Sequence, residues 1–149
     1  MLTENEIIER IGRATPIGIA IVLFSNVICF AIGSFIAKTA SPVSSVSILT
    51  IVLGAVGIAD IGAAFIVKKN LLKPLSAPGT LVDSNMLAAI MRKTTITISA
   101  ICAAPPIYGL VAVFMGAQRE HLAAFLIISL TGYMALRLRP RDFRKITSS

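Results

Sequence analysis

Asp60 is the residue of this sequence best placed to do chemistry. It is the only acid inside any of the long apolar stretches. A charge at bilayer depth costs upward of about 2.5–3.5 kcal/mol, so an acid placed there has a task or a partner. At helical spacing its neighbours are Val56, Gly57, Ala63 and Ala64. Three of these are small, which points the carboxyl at another helix rather than at lipid. Burial without a cation nearby disfavours the charged form, and that suits a group that takes up and releases protons. The plainer role is an acid joining two helices, with Asn26, Ser25 or Thr50 as partner. Asn26, near the centre of its own stretch, is the second candidate ion- or proton-binding residue, although an amide there more often bonds a neighbouring helix.

Few other residues offer reactivity. The single histidine, His121, falls in a turn. Cys29 and Cys102 lie deep in apolar stretches and read as small packing residues. The sequence has no CxxC, HExxH, P-loop or GxSxG pattern. No catalytic residue, metal site or cofactor is expected, and the chain reads as non-enzymatic. Pro105 and Pro106 remove two backbone donors from one stretch, which predicts a helix kink.

The elements that must position Asp60 follow from composition. The chain has 149 residues, 56% hydrophobic and 14% charged, with a mean hydropathy of +0.87. About 25% charged is usual for soluble domains. Ile17 to Ala37, Ser47 to Val67 and Ile96 to Gly116 each reach the roughly 20 apolar residues a bilayer crossing needs. Leu122 to Leu136 is shorter and reaches the interface by extending to Leu138, with Arg137 snorkelling outward. No stretch alternates with period 2, which argues against a barrel. The expected fold is an all-α membrane protein with four transmembrane helices as two antiparallel hairpins.

Charge sets the expected direction. Twelve of the fourteen basic residues fall in the N-terminal arm, the segment after the second stretch and the tail; only Lys38 and Arg119 lie elsewhere. This bias predicts both termini on the cytoplasmic side of the cell's inner membrane. The first residues are acidic and the first apolar stretch is long, so no cleavable signal is expected. Arg137, Arg139, Arg141, Arg144 and Lys145 are candidate contacts to anionic lipid headgroups. Only Phe143 interleaves with these charges, which disfavours nucleic acid.

One membrane domain is expected over 1–149, with hairpins at about 14–69 and 84–139, a cytoplasmic connector at 70–83 and a basic tail at 140–149. A short amphipathic helix precedes each hairpin. One carries Ile7, Ile8 and Ile11 after a Thr3/Glu6 capping box; the other carries Met86, Leu87, Ile90 and Met91 after Asp83 or Ser84. The parallel between the hairpins resembles a weak duplication. Small residues recur at helical spacing, among them Gly33, Gly54, Gly57, Gly109, Ala112 and Gly116, with Ala55, Ala59 and Ala63 every four. Such positions let helices approach closely in lipid. Their pattern alone does not separate packing within one chain from packing between copies.

The run Ala103-Ala104-Pro105-Pro106-Ile107-Tyr108-Gly109-Leu110-Val111 resembles the carboxylate-bearing helix of the c subunit, or proteolipid, of rotary proton- or sodium-translocating ATPases. It is also similar to a helix of uncharacterised small prokaryotic four-span proteins. The resemblance implies a hairpin that assembles in the membrane around an ion-carrying acid. Here the acid's position is Ala103, the orientation is opposite, and the helix opens its hairpin instead of closing it. Asp60 and Ala103 both fall about 4.5 Å to the cytoplasmic side of the middle of their stretches. A carboxyl supplied by another helix could therefore hold the same depth.

Three functions follow as expectations. The first is a non-enzymatic protein acting through helix packing, with itself or another membrane protein. The second is a proton- or sodium-translocating proteolipid or small transporter using Asp60. The third, an enzyme acting on lipid, has only the basic tail to recommend it.

Overall fold

The protein is described by a computed structural model covering residues 4–37, 47–76 and 84–143. Its helices are α1 Glu4–Ile36, α2 Ser47–Leu72, α3 Ser84–Cys102, α4 Ala104–Phe114 and α5 Arg119–Leu136. Single 3-10 turns, Lys73–Ser76 and Pro140–Phe143, follow α2 and α5. Among the described residues there is no strand. Three stretches, Asn5–Ile36, Ile48–Leu75 and Asn85–Phe114, are long and apolar enough to cross a membrane. Their outward faces carry large hydrophobics such as Phe24, Phe35, Ile48 and Ile51, each at least 70% exposed. Water would penalise such a surface, whereas lipid would not.

The expected separate amphipathic helices are absent. α1 is one helix of 33 residues that runs through Pro16. The Thr15 hydroxyl donates to the carbonyl of Ile11 (2.8 Å) just before that proline, and the rod continues. The second amphipathic segment is likewise the opening of α3. Thr3, Asp83 and the Ser84 side chain lie outside the described residues, as do residues 38–46 and the second half of the connector, 77–83.

The expected first hairpin is not a packed pair. α1 and α2 each pack along α3, α4 and α5, and have at most marginal contact with each other. The second half of the chain thus lies between the two helices of the first. Adjacency in sequence fails as a guide here because lipid supplies no hydrophobic drive for neighbouring apolar helices to pair. Small residues decide instead. Gly18 of α1 faces Thr95, Ser99 and Tyr133, and Gly33 faces Leu110 and Leu122. α1 therefore runs with α3 and α4 and against α5. Gly57 of α2 faces Pro105 and Tyr108, and Gly132 of α5 faces Ile61, so α2 runs with α5.

α4 and α5 do form a tight hairpin. Gly116 adopts φ 97°, the left-handed conformation that ends many helices. The Ala117 N–H returns to the Ala112 carbonyl (2.9 Å) and the Gly116 N–H to that of Val113 (3.0 Å). Gly116 is thus a turn residue, not the packing residue expected. The connection is shorter than expected, because α5 already begins at Arg119 and includes His121.

At one end, Ile7 and Ile11 of α1, Leu87 and Met91 of α3, Leu75, Leu138 and Phe143 form a single buried cluster. The start of α1, the end of α2, the start of α3 and the residues after α5 therefore share that end. Leu138 is buried there rather than lengthening α5, which stops at Leu136. Arg137 leaves the helix with ψ 148°, so the expected extension of the short fourth stretch does not occur.

Candidate functional site

Asp60 sits on α2, half-buried, and its Oδ2 accepts a 2.7 Å hydrogen bond from the phenol of Tyr108 on α4. Gly57, one turn before Asp60, makes this approach possible. A Cβ on Gly57 would already touch Pro105 at 3.5 Å and the Tyr108 ring at 3.8 Å. The helices are close enough there for a phenol to span the gap.

The partner differs from those expected. Asn26 and Ser25 are on α1, across the bundle from α2, and Ser25 is directed elsewhere. Thr50 lies ten residues from Asp60 on the same helix, roughly 15 Å along its axis. Tyr108 was embedded in the run resembling the proteolipid helix. The missed signal was a phenol in an apolar helix, which needs a hydrogen-bond partner when it is packed.

The site lies beside a break in the helix. α3 ends at Cys102 and α4 begins at Ala104, with prolines in its first turn. Lacking N–H groups, Pro105 and Pro106 give nothing to the carbonyls of Ile101 and Cys102. The chain breaks helical pairing at the single residue Ala103, whose φ −83° and ψ −6° stay in the right-handed helical region. The Ala103 N–H is shared between the carbonyls of Ser99 (2.9 Å) and Ala100 (3.2 Å). On the α1 side, the Ser25 hydroxyl reaches the Ala103 carbonyl at 3.5 Å. Polar groups thus flank the interruption from both sides, Ser25 on α1 and the Asp60–Tyr108 pair on α2 and α4.

Asn26 behaves differently from expectation. It is 6% exposed, yet neither Oδ1 nor Nδ2 has a partner among the described residues. The same holds for the Ser129 hydroxyl on α5, which is fully buried. The amide does not tie α1 to a neighbour. Cys29 and Cys102 are buried free thiols, and Cys102 packs with Val22, Ala64, Ile98 and Tyr133. No cluster of metal-binding side chains occurs among the described residues.

The small residues divide into two groups. Gly18, Gly33, Gly109 and Gly132 are used inside the chain. Added Cβ atoms would lie 2.7 Å from the Ser99 hydroxyl at Gly18, 2.9 Å from the Phe125 Cβ at Gly109 and 3.0 Å from Ile61 Cγ1 at Gly132, and would overlap Leu122 at Gly33. Ala112 is fully buried beside Ala117 and Leu53. By contrast none of the described residues lies within 4 Å of a Cβ at Gly54 or Gly62, and Ala55, Ala59 and Ala63 are all exposed. Gly54 is therefore not an internal packing residue.

At the basic end, Lys68 pairs with Asp142 at 2.8 Å, both largely buried. The Lys68 ammonium also lies 3.4 Å from the Arg137 carbonyl, and the same Asp142 oxygen accepts the Arg139 N–H at 2.8 Å. The Arg139 guanidinium donates to the Met134 carbonyl, so only part of it remains for headgroups. Arg137 is exposed. Arg144, Lys145 and the Arg141 side chain lie outside the described residues.

Compared with family models, curated proteins and solved structures, the chain matches none. Its described residues form a helical bundle with three membrane-length apolar stretches, a helix broken at Ala103 and an acid–phenol pair one turn beyond the break.

Proposed function

We propose that the protein is a non-enzymatic, multi-pass protein of the cytoplasmic membrane that works by assembling with further copies of itself. α5 makes the fourth crossing. Its 18 residues span about 27 Å, slightly short of a 30 Å core, and a bilayer accommodates such mismatch by local thinning or by helix association. The basic end, where the described start of α1 and the turn after α5 meet, faces the cytoplasm. One observation carries the assembly reading: the Ala55, Ala59, Ala63 and Gly62 face of α2 is spent on no partner among the described residues. Faces of that kind bring helix backbones together in lipid. Counting subunits by single-molecule photobleaching in phosphatidylcholine vesicles tests it. Several bleaching steps are expected for the native chain and mostly one for Ala59→Leu/Gly62→Leu. Single-step bleaching of the native chain would sink the proposal.

The Asp60–Tyr108 pair favours a second reading, a proton- or sodium-carrying proteolipid with its carboxyl on α2. A half-exposed acid beside a helix interruption, held by a phenol, offers a place for a proton or ion to bind and leave. The similarity of residues 103–111 to the proteolipid helix supports the same reading, because Tyr108 belongs to that run. Flux in proteoliposomes bearing a proton or sodium gradient decides it. Loss of flux in Asp60→Asn supports the reading; unchanged flux, or none in either protein, removes it.

A further inference from the structure

Beside the Lys68–Asp142 pair lies an open groove of about 840 Å³ whose walls are of two kinds. Phe65 and Ile66, 61% and 60% exposed, form an apolar wall continuous with the outer face of α2. Lys69 and Lys73, both exposed, stand at its basic end with Asn70 between them in sequence. The one acid lining it among the described residues, Asp142, is already paired with Lys68 and with the Arg139 N–H. Carbonyls at the end of α2 contribute a partial negative charge of about half a unit. Three lysines against one aspartate outweigh that, so the groove is left positive.

We infer that this groove seats an anionic phospholipid, its phosphate between Lys69 and Lys73 and an acyl chain along Phe65 and Ile66. The inference rests on the membrane placement above and is independent of both assembly and flux. A free phosphate would use the lysines but leave the apolar wall bare, whereas a phospholipid uses both. The charges lie within one turn of the last apolar residues of the span, at the level where headgroups meet acyl chains. Basic recesses of this kind recognise acidic headgroups, at about 1 kcal/mol per basic residue near the surface.

Native mass spectrometry of the full chain, released from detergent and titrated with phosphatidylglycerol, phosphatidylcholine or inorganic phosphate, tests the inference. The native chain should retain phosphatidylglycerol in preference to phosphatidylcholine. Lys69→Gln/Lys73→Gln should reduce phosphatidylglycerol retention by about 30-fold, with helical content unchanged by circular dichroism. Phe65→Ala/Ile66→Ala should weaken both lipids while leaving the charge preference. Equal retention of the two lipids by the native chain would overturn the inference. So would a double lysine variant that binds as the native chain does, or inorganic phosphate displacing the lipid at equal concentration. A chain that stays dissolved without detergent would instead remove the membrane placement itself.

Discussion

The Tyr108 phenol donates to Asp60 across 2.7 Å, linking the middle of α2 to the broken rod formed by α3 and α4. Tyr108→Phe deletes the only donor to that carboxyl among the described residues and leaves an acid in an apolar setting. A loss of about 1–3 kcal/mol is expected. Asp60→Leu/Tyr108→Phe removes both polar ends and should cost less than the two single changes combined. A double-mutant cycle on unfolding in detergent reads this directly, and strict additivity would mean that the bond contributes nothing.

Gly18 and Gly62 should respond in opposite directions. A methyl at Gly18 meets the Ser99 hydroxyl at 2.7 Å and the Thr95 methyl at 2.8 Å. Gly18→Ala should therefore destabilise by about 1–3 kcal/mol through overpacking. At Gly62 nothing lies within 4 Å, and a helical glycine costs up to about 1 kcal/mol relative to alanine. Gly62→Ala should raise the thermal midpoint of the isolated chain slightly. A fall there would show that the α2 face touches something within the chain.

Asn26 buries an amide with neither polar atom engaged. Replacing it with leucine, which is of similar size and has nothing to satisfy, should stabilise the bundle by about 1–3 kcal/mol. Thermal unfolding of Asn26→Leu measures the effect. A lower midpoint would reveal a partner for the amide.

Lys68 and Asp142 hold the last described turn against α2. An exposed ion pair contributes about 0–1 kcal/mol, and breaking a fully buried one costs about 3–5. This pair is largely but not wholly covered, so Lys68→Met should cost about 1–3 kcal/mol. Faster proteolytic trimming after Leu136 is the second expected sign. Trimming at the native rate would mean that Leu138 and Phe143 hold the turn without the ion pair.

The helices were legible because apolar runs of this length have one economical conformation in an oily setting. Two adjacent prolines cannot feed carbonyls one turn earlier, so a disturbance near them was legible; that it takes the form of a break at Ala103 was not. The choice of Tyr108 over Asn26 for Asp60 depends on which helices stand side by side. That in turn depends on where Gly18, Gly33, Gly57 and Gly132 admit a neighbour. Gly33 and Gly54 look alike in sequence, yet the gap at one is filled by Leu122 and the other borders an open recess against α5. Pattern marks both as small and says nothing about which gap is occupied. The early stop of α5 escaped notice for a similar reason, because Leu138 is apolar enough to continue a span but is claimed by the cluster with Phe143.

The interleaving of α1 and α2 around the later helices also bears on biogenesis. As the chain leaves the ribosome, its first two rods enter the bilayer with few contacts to offer each other. Their mutual spacing is imposed only once α3, α4 and α5 arrive and slot between them. A fragment ending near residue 76 should therefore insert without condensing, and remain open to chaperones or quality-control proteases until translation finishes.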